Sequence, residues 1–299
     1  MVGVDSLSYL ADQLGEWGPR AVPKLVSEFV YRFPVRKGES IWAREWDLLI
    51  VLDACRVDWM EQVADEYAFI DGVDRIWSVG GHSEEWLRKT FTEAPDERLH
   101  ETGYVSANPF TDNVATEPFA YFENVAELAY EGGFPTPPAH VVTDRAIGAS
   151  RTESPARLVV HYMQPHRPFF SRTGDRREVS MTEWSTGSGP YHQHFDGTLS
   201  REALHHHYVE NLRYALDEVE LLLENVDAPR TVITADHGHA LGERFLWDHR
   251  QRVQHPVMRE VPWIETQATD AETHAPPEYQ MDERSDESIE ERLRALGYR

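Results

Sequence analysis

The amino-acid sequence predicts an α/β protein in which helices cover a largely parallel central sheet. Segments with strand and helix patterns alternate in the order strand, helix, strand, helix, strand, long helix and strand. The first strand, residues 46–54, contains four consecutive apolar residues at 48–51, which is typical of a strand buried on both faces of a parallel sheet. This alternation predicts a doubly wound fold, in which ligands bind at the carboxyl ends of the strands.

The N-terminal part of the chain is predicted to form a helical arm. Residues 6–32 hold two stretches in which apolar residues recur at helical spacing, and a Gly-Pro pair separates them. A helix is also predicted at 83–91, where Ser83 is a suitable cap and two glutamates occupy the first turn. Further elements are predicted as strands at 102–110, 156–166 and 230–238, and as helices at 119–130, 201–226 and 289–298.

Two long polar stretches have no clear periodicity. About 35 residues after position 166 are rich in Gly, Ser, Thr and His, and such a stretch in a compact domain is usually a functional or a mobile loop. The segment from Thr266 to Ser288 is acidic and is predicted to be loose. We therefore divide the chain into a helical arm (1–45), a catalytic domain (46–265) and an acidic tail with a short C-terminal helix (266–299).

The chain is strongly acidic, with a formal net charge of −23 over 299 residues. Such a surface repels the phosphates of nucleic acids and of anionic membranes, so charge alone argues against both as partners. Only three of the 29 basic residues are lysines, and this composition is typical of proteins that function in very high salt, where screening is strong. It predicts a halophilic source. A site for an anionic substrate must then be locally positive, most naturally through a metal.

The sequence also indicates a cellular compartment. The single cysteine, Cys55, excludes an intrachain disulfide. The first 20 residues lack the basic segment and unbroken apolar core of a signal peptide. No apolar run approaches the roughly 18 residues that span a bilayer. We expect a cytoplasmic protein without a transmembrane segment.

Polar side chains stand at the ends of three predicted strands. They are Asp53 at the first strand, His161, Gln164 and His166 at a middle strand, and Asp236, His237 and His239 at a late strand. A carboxylate or imidazole in the apolar part of a strand is costly unless it is paired. Because these strand ends meet at one edge of the sheet, the residues together predict a metal site with oxygen and nitrogen ligands.

The strand-end residues differ in how specific they are. Asp53 alone is more often a cap or turn residue, and His161 can equally be a hydrogen-bonded core histidine. Asp236 and His237 are more specific, because two adjacent ligands and a glycine directly follow an apolar strand.

Five segments between residues 46 and 264 occur in an order that resembles the alkaline phosphatase superfamily, in particular its sulfatase-like and phosphoglycerol-transferase-like branch. They are LIVLDACRVDW, VVHYMQPHRPF, YVENLRYALDEVELLL, VITADHGHALGER and REVPW. The resemblance implies an alkaline-phosphatase-like three-layer αβα fold with a largely parallel central sheet. It also implies a divalent metal held by Asp53, Asp236 and His237, with Arg56 supporting the metal carboxylates from outside. Mn²⁺, Mg²⁺, Ca²⁺ and Zn²⁺ all suit such ligands.

The nucleophile is less well defined by the resemblance. The family places a modified cysteine, a serine or a threonine in a short motif after the first strand, and the comparable stretch here is SVGGHSEEW. Matching His82 to the family's Arg or His places Ser78 at the nucleophile position, and Ser83 is the alternative. Cys55 does not match the modified-cysteine motif, and this favours phosphate esters over sulfate esters as the substrate class.

The resemblance implies a metal-dependent hydrolase or transferase that acts on phosphate or sulfate esters through a covalent serine intermediate. Ser78 and His166 are the predicted catalytic residues, and the predicted substrate-binding residues are His82, His161, Gln164 and His249. The expected substrate is a small-molecule, glycan or lipid-headgroup ester, and phosphodiesterase and phosphotransferase activities are both compatible. The alternatives are an authentic sulfatase and a catalytically degenerate member that only binds a metal or an anion.

Overall fold

The central sheet contains seven strands and is largely parallel, which confirms the predicted α/β fold. The computed structural model describes residues 13–15, 17–33, 36–113, 118–127, 134–186, 189–277 and 294–296. The strands in these residues are β1 (Leu48–Asp53), β2 (Asp74–Trp77), β3 (Thr102–Ser106), β4 (Tyr121–Asn124), β5 (Arg157–Pro165), β6 (Phe170–Arg172), β7 (Val179–Met181), β8 (Ala228–Thr234), β9 (Ala240–Leu241), β10 (Trp247–Asp248) and β11 (Glu260–Ala268). The sheet order is β2-β11-β8-β1-β5-β3-β4. Neighbours from β8 to β4 are parallel, whereas β11 is antiparallel to both β8 and β2.

Helices cover both faces of this sheet. They are α1 (Ala21–Val30), α2 (Val57–Val63), α3 (Ser83–Thr92), α4 (Asp96–Leu99), α5 (Ala139–Thr152), α6 (Gly189–Asp196), α7 (Arg201–Leu223) and α8 (Pro256–Arg259). On β5, the Tyr162 hydroxyl lies 2.8 Å from the Thr143 hydroxyl of α5. The neighbouring His161 ring packs against Trp86 of α3, with centroids 5.6 Å apart. Because successive side chains of a strand point to opposite faces, α3 and α5 lie on opposite sides and the fold has three αβα layers.

Strand β1 forms the centre of the core. All six of its residues are buried, and Leu49 is aligned with Val159 of β5 and with Val232 of β8. A strand with parallel neighbours on both sides and helices over both faces requires a continuous apolar run. Burial of each Leu or Val of β1 stabilises the folded protein by roughly 1.5–3 kcal/mol. Asp53, at the end of the strand, gains no such stabilisation, so its burial needs a separate reason.

Two predictions about individual elements are wrong, and two strands of the sheet were not predicted. Residues 121–124, expected to be helical, form strand β4 and pair in parallel with β3, followed by a short 3-10 turn at Val125–Glu127; residues 128–130 lie outside the described part. The polar stretch after residue 166 is not a plain loop, because it contains the β6–β7 hairpin and α6. The edge strand β2 and its antiparallel partner β11 were not predicted. Their pairing depends on a contact between residues far apart in sequence.

The two ends of the chain are described only in part. Helix α1 lies within the segment predicted as a helical arm, whereas residues 1–12 lie outside the described residues. In the predicted loose tail, the backbone N–H groups of Thr269 and Ala271 donate to the carbonyls of Leu223 and Glu224 at 2.8 and 2.9 Å. Most of the predicted helix at 289–298 lies outside the described residues, and the three-part division of the chain stays a prediction. Within the described ranges, no helix is long and apolar enough to span a bilayer.

Candidate metal centre and active site

Three neighbouring strands bring their polar ends together at one edge of the sheet. Asp53 is the last residue of β1, His161 lies in β5, and Asp236 follows β8 by two residues. The side chains of all three are fully buried, and their ligand atoms lie within 4.8 Å of one another. The carboxyl ends of adjacent parallel strands thus gather the side chains that the sequence marks separately.

Four side chains form what we call the carboxylate site: Asp53, Ser83, Asp236 and His237. The Ser83 hydroxyl donates a hydrogen bond to Asp53 Oδ2 at 3.1 Å and lies 3.1 Å from His237 Nε2. His237 Nε2 lies 3.4 Å from Asp236 Oδ2 and 3.7 Å from Asp53 Oδ1. One imidazole nitrogen, two carboxylates and one hydroxyl therefore converge on a single point.

Backbone and side-chain hydrogen bonds orient these groups. Asp236 Oδ1 accepts hydrogen bonds from the backbone N–H of Ala54 at 3.1 Å and of His237 at 2.8 Å. The side-chain amide of Asn108 donates to Asp53 Oδ2 at 2.8 Å. His237 Nδ1 lies 2.8 Å from the Gly238 carbonyl and donates to it. This bond leaves Nε2 as the nitrogen with a free lone pair, as in metal-ligating histidines held by an outer partner.

The donors of the carboxylate site fit a divalent cation. Within the described ranges, Asp236 Oδ2 is buried without a hydrogen bond, and its ion-pair contacts are to His237 and to His161, whose Nε2 lies 3.9 Å away. Two buried carboxylates at close range repel each other and are costly without a cation. Oxygen and imidazole ligands are those that Mn²⁺, Mg²⁺, Ca²⁺ and Zn²⁺ accept. The residues present therefore suit the metal that the resemblance implies.

Ser78 and Ser83 occupy different environments. The Ser78 hydroxyl donates to the backbone carbonyl of Asp236 and accepts a hydrogen bond from the Gly80 N–H at 3.1 Å. Ser83 is the first residue of α3, directly after His82, whose Nδ1 caps the helix by accepting from the Glu84 N–H at 3.2 Å. Ser83 thus combines contacts to two potential metal ligands with the positive end of a helix dipole.

A second group, which we call the histidine cluster, lies beside the carboxylate site. It consists of His166, His239, Asp248 and His249, all buried, with ligand atoms within 4.8 Å of one another. His249 Nδ1 lies 2.8 Å from Asp248 Oδ1. The His249 ring is also only 4.7 Å, centroid to centroid, from the ring of His237, so the two groups border the same space.

Burial controls the protonation of the histidine cluster. It lowers the pKa of His166 and of His239 well below the usual range and that of His249 to about 4. Burial alone would raise the pKa of Asp248, but His249 and Arg167, whose Nη2 lies 3.5 Å from its carboxylate, bring it well below the usual range. The cluster therefore presents neutral imidazoles and one carboxylate at neutral pH.

The remaining predicted residues have more local contacts. His161 Nδ1 lies 3.0 Å from the Tyr104 hydroxyl, and Gln164 donates to the Pro137 carbonyl at 3.2 Å. Arg56 pairs with Asp58 and Glu243 and donates to the His239 carbonyl at 3.0 Å. These contacts hold the 239–243 segment against the end of β1, whereas the predicted role was support of the metal carboxylates.

Sequence reasoning missed three polar residues next to the site. Asn108 follows β3 by two residues and reaches Asp53 across β5. Arg167 and Asp248 form an ion pair beside the histidines. Asn108 could have been marked by the same criterion as Asp53, because it follows a buried strand of the same sheet. Arg167 lies in a loop and Asp248 in the two-residue strand β10, outside the central sheet, and neither gave a comparable signal.

No family model and no curated protein matches the sequence. Among solved structures, the soluble domain of lipooligosaccharide phosphoethanolamine transferase A from Neisseria meningitidis aligns with a TM-score of 0.51 and 15% identity, over 80% of this chain and 81% of that chain. A putative sulfatase from Bacteroides thetaiotaomicron aligns with a TM-score of 0.45 and 13% identity, over 84% and 67% of the two chains. An alkaline phosphatase superfamily protein from Vibrio parahaemolyticus aligns with a TM-score of 0.42 and 10% identity, over 83% and 70%.

These similarities concern the fold. The three-layer fold of the chain aligns with that of the transferase domain from Neisseria meningitidis, and the αβα fold that the resemblance implies is confirmed.

Proposed function

We propose that the chain is a divalent-metal-dependent enzyme that cleaves or transfers phosphate esters through a covalent intermediate on Ser83. The observation that carries this proposal is the position of the Ser83 hydroxyl, 3.1 Å from both Asp53 and His237. A hydroxyl held between potential metal ligands at a helix N-terminus is the arrangement that activates a serine for attack on an anionic ester.

The nucleophile is assigned to Ser83 rather than to Ser78. Both lone pairs and the proton of a serine hydroxyl are needed for metal contact and attack, and the Ser78 hydroxyl is already bonded to the backbone of Asp236 and Gly80. Ser78 instead supports the turn that leads from β2 into α3. The two serines are five residues apart, and a glycine-containing turn lies between them. Comparison with the family motif alone did not show which of the two serines lies at the site.

Asp53, Asp236 and His237, together with the Ser83 oxygen, would hold the metal. A divalent cation at this position lowers the pKa of a neighbouring hydroxyl and polarises the ester oxygen. Asp53 Oδ2 accepts the Ser83 hydrogen bond and is the atom of this chain placed to receive the hydroxyl proton. The N-terminus of α3, where Ser83 lies, favours the negative charge that develops on the phosphoryl group under attack.

Ser83 Oγ forms the new bond to phosphorus as the bond to the leaving oxygen breaks, which yields phosphoserine. The neutral His166 and His249 imidazoles are proposed to hold the non-bridging oxygens of the phosphoryl group, because the His249 ring lies beside the ring of His237. Attack by water then regenerates Ser83 and makes the enzyme a hydrolase. Attack by a sugar, glycerol or lipid hydroxyl makes it a transferase.

Phosphate esters are favoured over sulfate esters. The only cysteine, Cys55, is fully buried, and burial raises the pKa of its thiol far above neutrality. A sulfatase of this fold would need a modified cysteine, and neither Cys55 nor the Ser83 segment matches that motif. The neighbour from Neisseria meningitidis is by its name a phosphoethanolamine transferase, which supports a lipid- or glycan-headgroup phosphate ester as the substrate class to test first.

The test is hydrolysis of p-nitrophenyl phosphate, bis-p-nitrophenyl phosphate and p-nitrophenyl sulfate in molar KCl, with each divalent metal added in turn. Wild type should cleave a phosphate ester only with metal. Ser83→Ala and Asp236→Asn should each lower the rate by roughly 10³-fold or more, whereas Ser78→Ala should keep most activity and lose stability. Sulfate cleavage, or loss of activity in Ser78→Ala but not in Ser83→Ala, would contradict the proposal. Metal binding without turnover of any ester would favour the degenerate, binding-only alternative.

A further inference from the structure

The exposed apolar side chains of this protein are concentrated in one place. Within the described ranges, the seven large apolar side chains that are clearly exposed lie between residues 14 and 33 or at Phe245. Phe245 belongs to the turn Glu243–Phe245, which packs beside α1. Scattered exposed apolar residues need no explanation, but a single contiguous patch marks an interaction surface.

Helix α1 has the reverse of the usual amphipathic orientation. Val22, Val26, Phe29 and Val30 are 56–63% exposed and, at spacings of four and three residues, share one face of the helix. Phe33 continues this face beyond the helix end, with its ring 5.7 Å from that of Phe29.

The face of α1 that turns toward the body of the protein carries charge instead. Lys24 and Glu28 are buried there and form an ion pair of 2.8 Å. Lys24 also lies over the Trp17 ring at 4.7 Å and donates to Gln13 at 2.6 Å. Burial of a charged pair is costly, so this orientation indicates that the apolar face meets something other than the protein's own core.

The segment that carries the apolar face is basic, although the chain as a whole is acidic. Residues 17–37 contain five basic residues and a single acidic one, Glu28, which is buried. Arg20, Arg32, Arg36 and Lys37 are exposed, and Arg36 also makes a surface ion pair with Glu39. Two of the three lysines of the chain lie in this short segment. An exposed apolar stripe bordered by cations is complementary to an anionic lipid surface.

The helix is fixed to the loop that follows Asp248 and His249, two members of the histidine cluster. Arg250 Nε lies 3.4 Å from Glu28 Oε1, and the Gln254 N–H donates to the Tyr31 carbonyl at 2.6 Å. The Tyr31 and His255 rings meet edge to face at 4.8 Å. The apolar face therefore has a defined orientation on the body of the protein.

We infer that the protein docks on anionic lipid membranes through the apolar face of α1, with Phe33 and Phe245 at its border and with Arg20, Arg32 and Lys37 against the headgroups. The net charge of −23 argued against such a partner, but the basic segment reverses the sign of the charge locally. Binding of this kind is peripheral: the side chains enter the headgroup and upper acyl region, and no helix crosses the bilayer. The inference stands on this surface and does not depend on the proposed chemistry.

The test is flotation of the full-length protein with phosphatidylglycerol vesicles and with phosphatidylcholine vesicles, in about 0.1 M and about 1 M KCl. Wild type should bind phosphatidylglycerol and bind phosphatidylcholine much less at low salt. Phe29→Ser/Phe33→Ser should weaken binding by roughly tenfold or more at both salt concentrations, because each lost phenylalanine removes apolar area. Arg32→Glu/Lys37→Glu should weaken it mainly at low salt, because molar salt screens the headgroup attraction.

The matched control is Arg88→Glu/Arg177→Glu, which makes the same change of charge at exposed positions outside the segment and should bind as wild type does. Far-UV circular dichroism checks that each protein is folded. Absence of wild-type binding to either vesicle would overturn the inference, as would equal binding by wild type and both α1 variants. It would also be overturned if wild type stayed lipid-free as a dimer that Phe29→Ser/Phe33→Ser converts to a monomer, since a second copy would then cover the face.

Discussion

Asp53 and Asp236 place two buried carboxylates on neighbouring strand ends, and the atoms around them define what they can do. Each carboxylate has one oxygen held by the protein: Asn108 and Ser83 donate to Asp53 Oδ2, and two backbone N–H groups donate to Asp236 Oδ1. The second oxygens face His237 Nε2 at 3.7 and 3.4 Å. Orientation by outer hydrogen bonds is what allows a metal site to hold its geometry.

Asn108→Ala should weaken metal binding. Loss of the amide that donates to Asp53 Oδ2 frees the carboxylate to rotate, and such outer partners typically change metal affinity about 10–100-fold. Isothermal titration calorimetry with Mn²⁺ or Zn²⁺ measures the effect. Asn225→Ala is the control, because the Asn225 side chain is equally buried and hydrogen-bonds to groups away from the site. They are the Leu221 carbonyl, the His274 N–H and the side chains of Thr273 and Arg151. Equal metal affinity in the two variants would show that Asn108 is merely structural.

The sequence pointed to much of this site because strand ends are visible as apolar runs that stop at a polar residue. Asp53, Asp236 and His237 could be marked in this way. Asn108 also follows a buried strand and was overlooked; its contact with Asp53, 55 positions away, is visible only in the structure. The choice between Ser78 and Ser83 depends on where the turn after β2 ends and α3 begins, and no local pattern fixes that residue when both serines suit a turn.

At the scale of elements, the sequence predicted the helices and strands that depend mainly on interactions between residues close together in the chain. Helix α7 carries a continuous apolar stripe and a Ser200 cap whose hydroxyl accepts from the Ala203 N–H at 3.0 Å, and β1 has a run of apolar residues; both were predicted. Strand β4 was mistaken for a helix because its aromatic residues also fit a helical spacing, and pairing with β3 decides its state. Pairing between distant segments likewise creates β2 and β11.

The β6–β7 hairpin is held to the helices by a buried charge network. Arg176, which lies between the two strands, donates to Asp144 of α5 at 2.7 Å and to Glu218 of α7 at 2.8 Å. Both carboxylates are fully buried, and burial raises the pKa of Glu218 even though Arg176 and Arg172 oppose it. An arginine shared by two buried carboxylates fixes the relative positions of three elements.

Arg176→Ala should therefore destabilise the protein by roughly 3 kcal/mol, because removal of one member of a buried charge network leaves the carboxylates with too few cations. Arg75→Ala is the matched control, since Arg75 and its partner Glu61 are about half exposed and such pairs contribute about 0–1 kcal/mol. Urea unfolding measures both. A loss below about 1 kcal/mol in Arg176→Ala would mean that the hairpin is held by apolar contacts instead.

At the scale of the whole molecule, charge is the dominant feature. A net charge of −23 on 299 residues makes the folded state repel itself, and the range of that repulsion falls from about 10 Å in 0.1 M salt to about 3 Å in 1 M salt. The halophilic source and the cytoplasmic location stay predictions. The halophilic source can be examined through the dependence of the protein's stability on salt concentration.

The melting temperature should rise as KCl increases from about 0.1 M to about 1 M, because screening removes repulsion between exposed carboxylates. A variant with Asp71→Asn, Asp74→Asn and Glu93→Gln, three exposed acids that form no ion pair with another described residue, has a net charge of −20 from −23 + 3. It should melt higher than wild type at low salt and respond less to KCl. Equal salt responses in the two proteins would show that general salt effects, rather than surface repulsion, govern the stability.

The proposed covalent intermediate can be located directly. The tryptic peptide from Ile76 to Arg88 contains both Ser78 and Ser83, so fragmentation of one peptide distinguishes them. The metal-loaded protein is mixed with p-nitrophenyl phosphate, quenched in acid within the first turnovers, digested and examined by tandem mass spectrometry. We expect phosphate on Ser83, absent from Ser83→Ala and from metal-free protein. Phosphate on Ser78, or substrate turnover with neither serine modified, would contradict it.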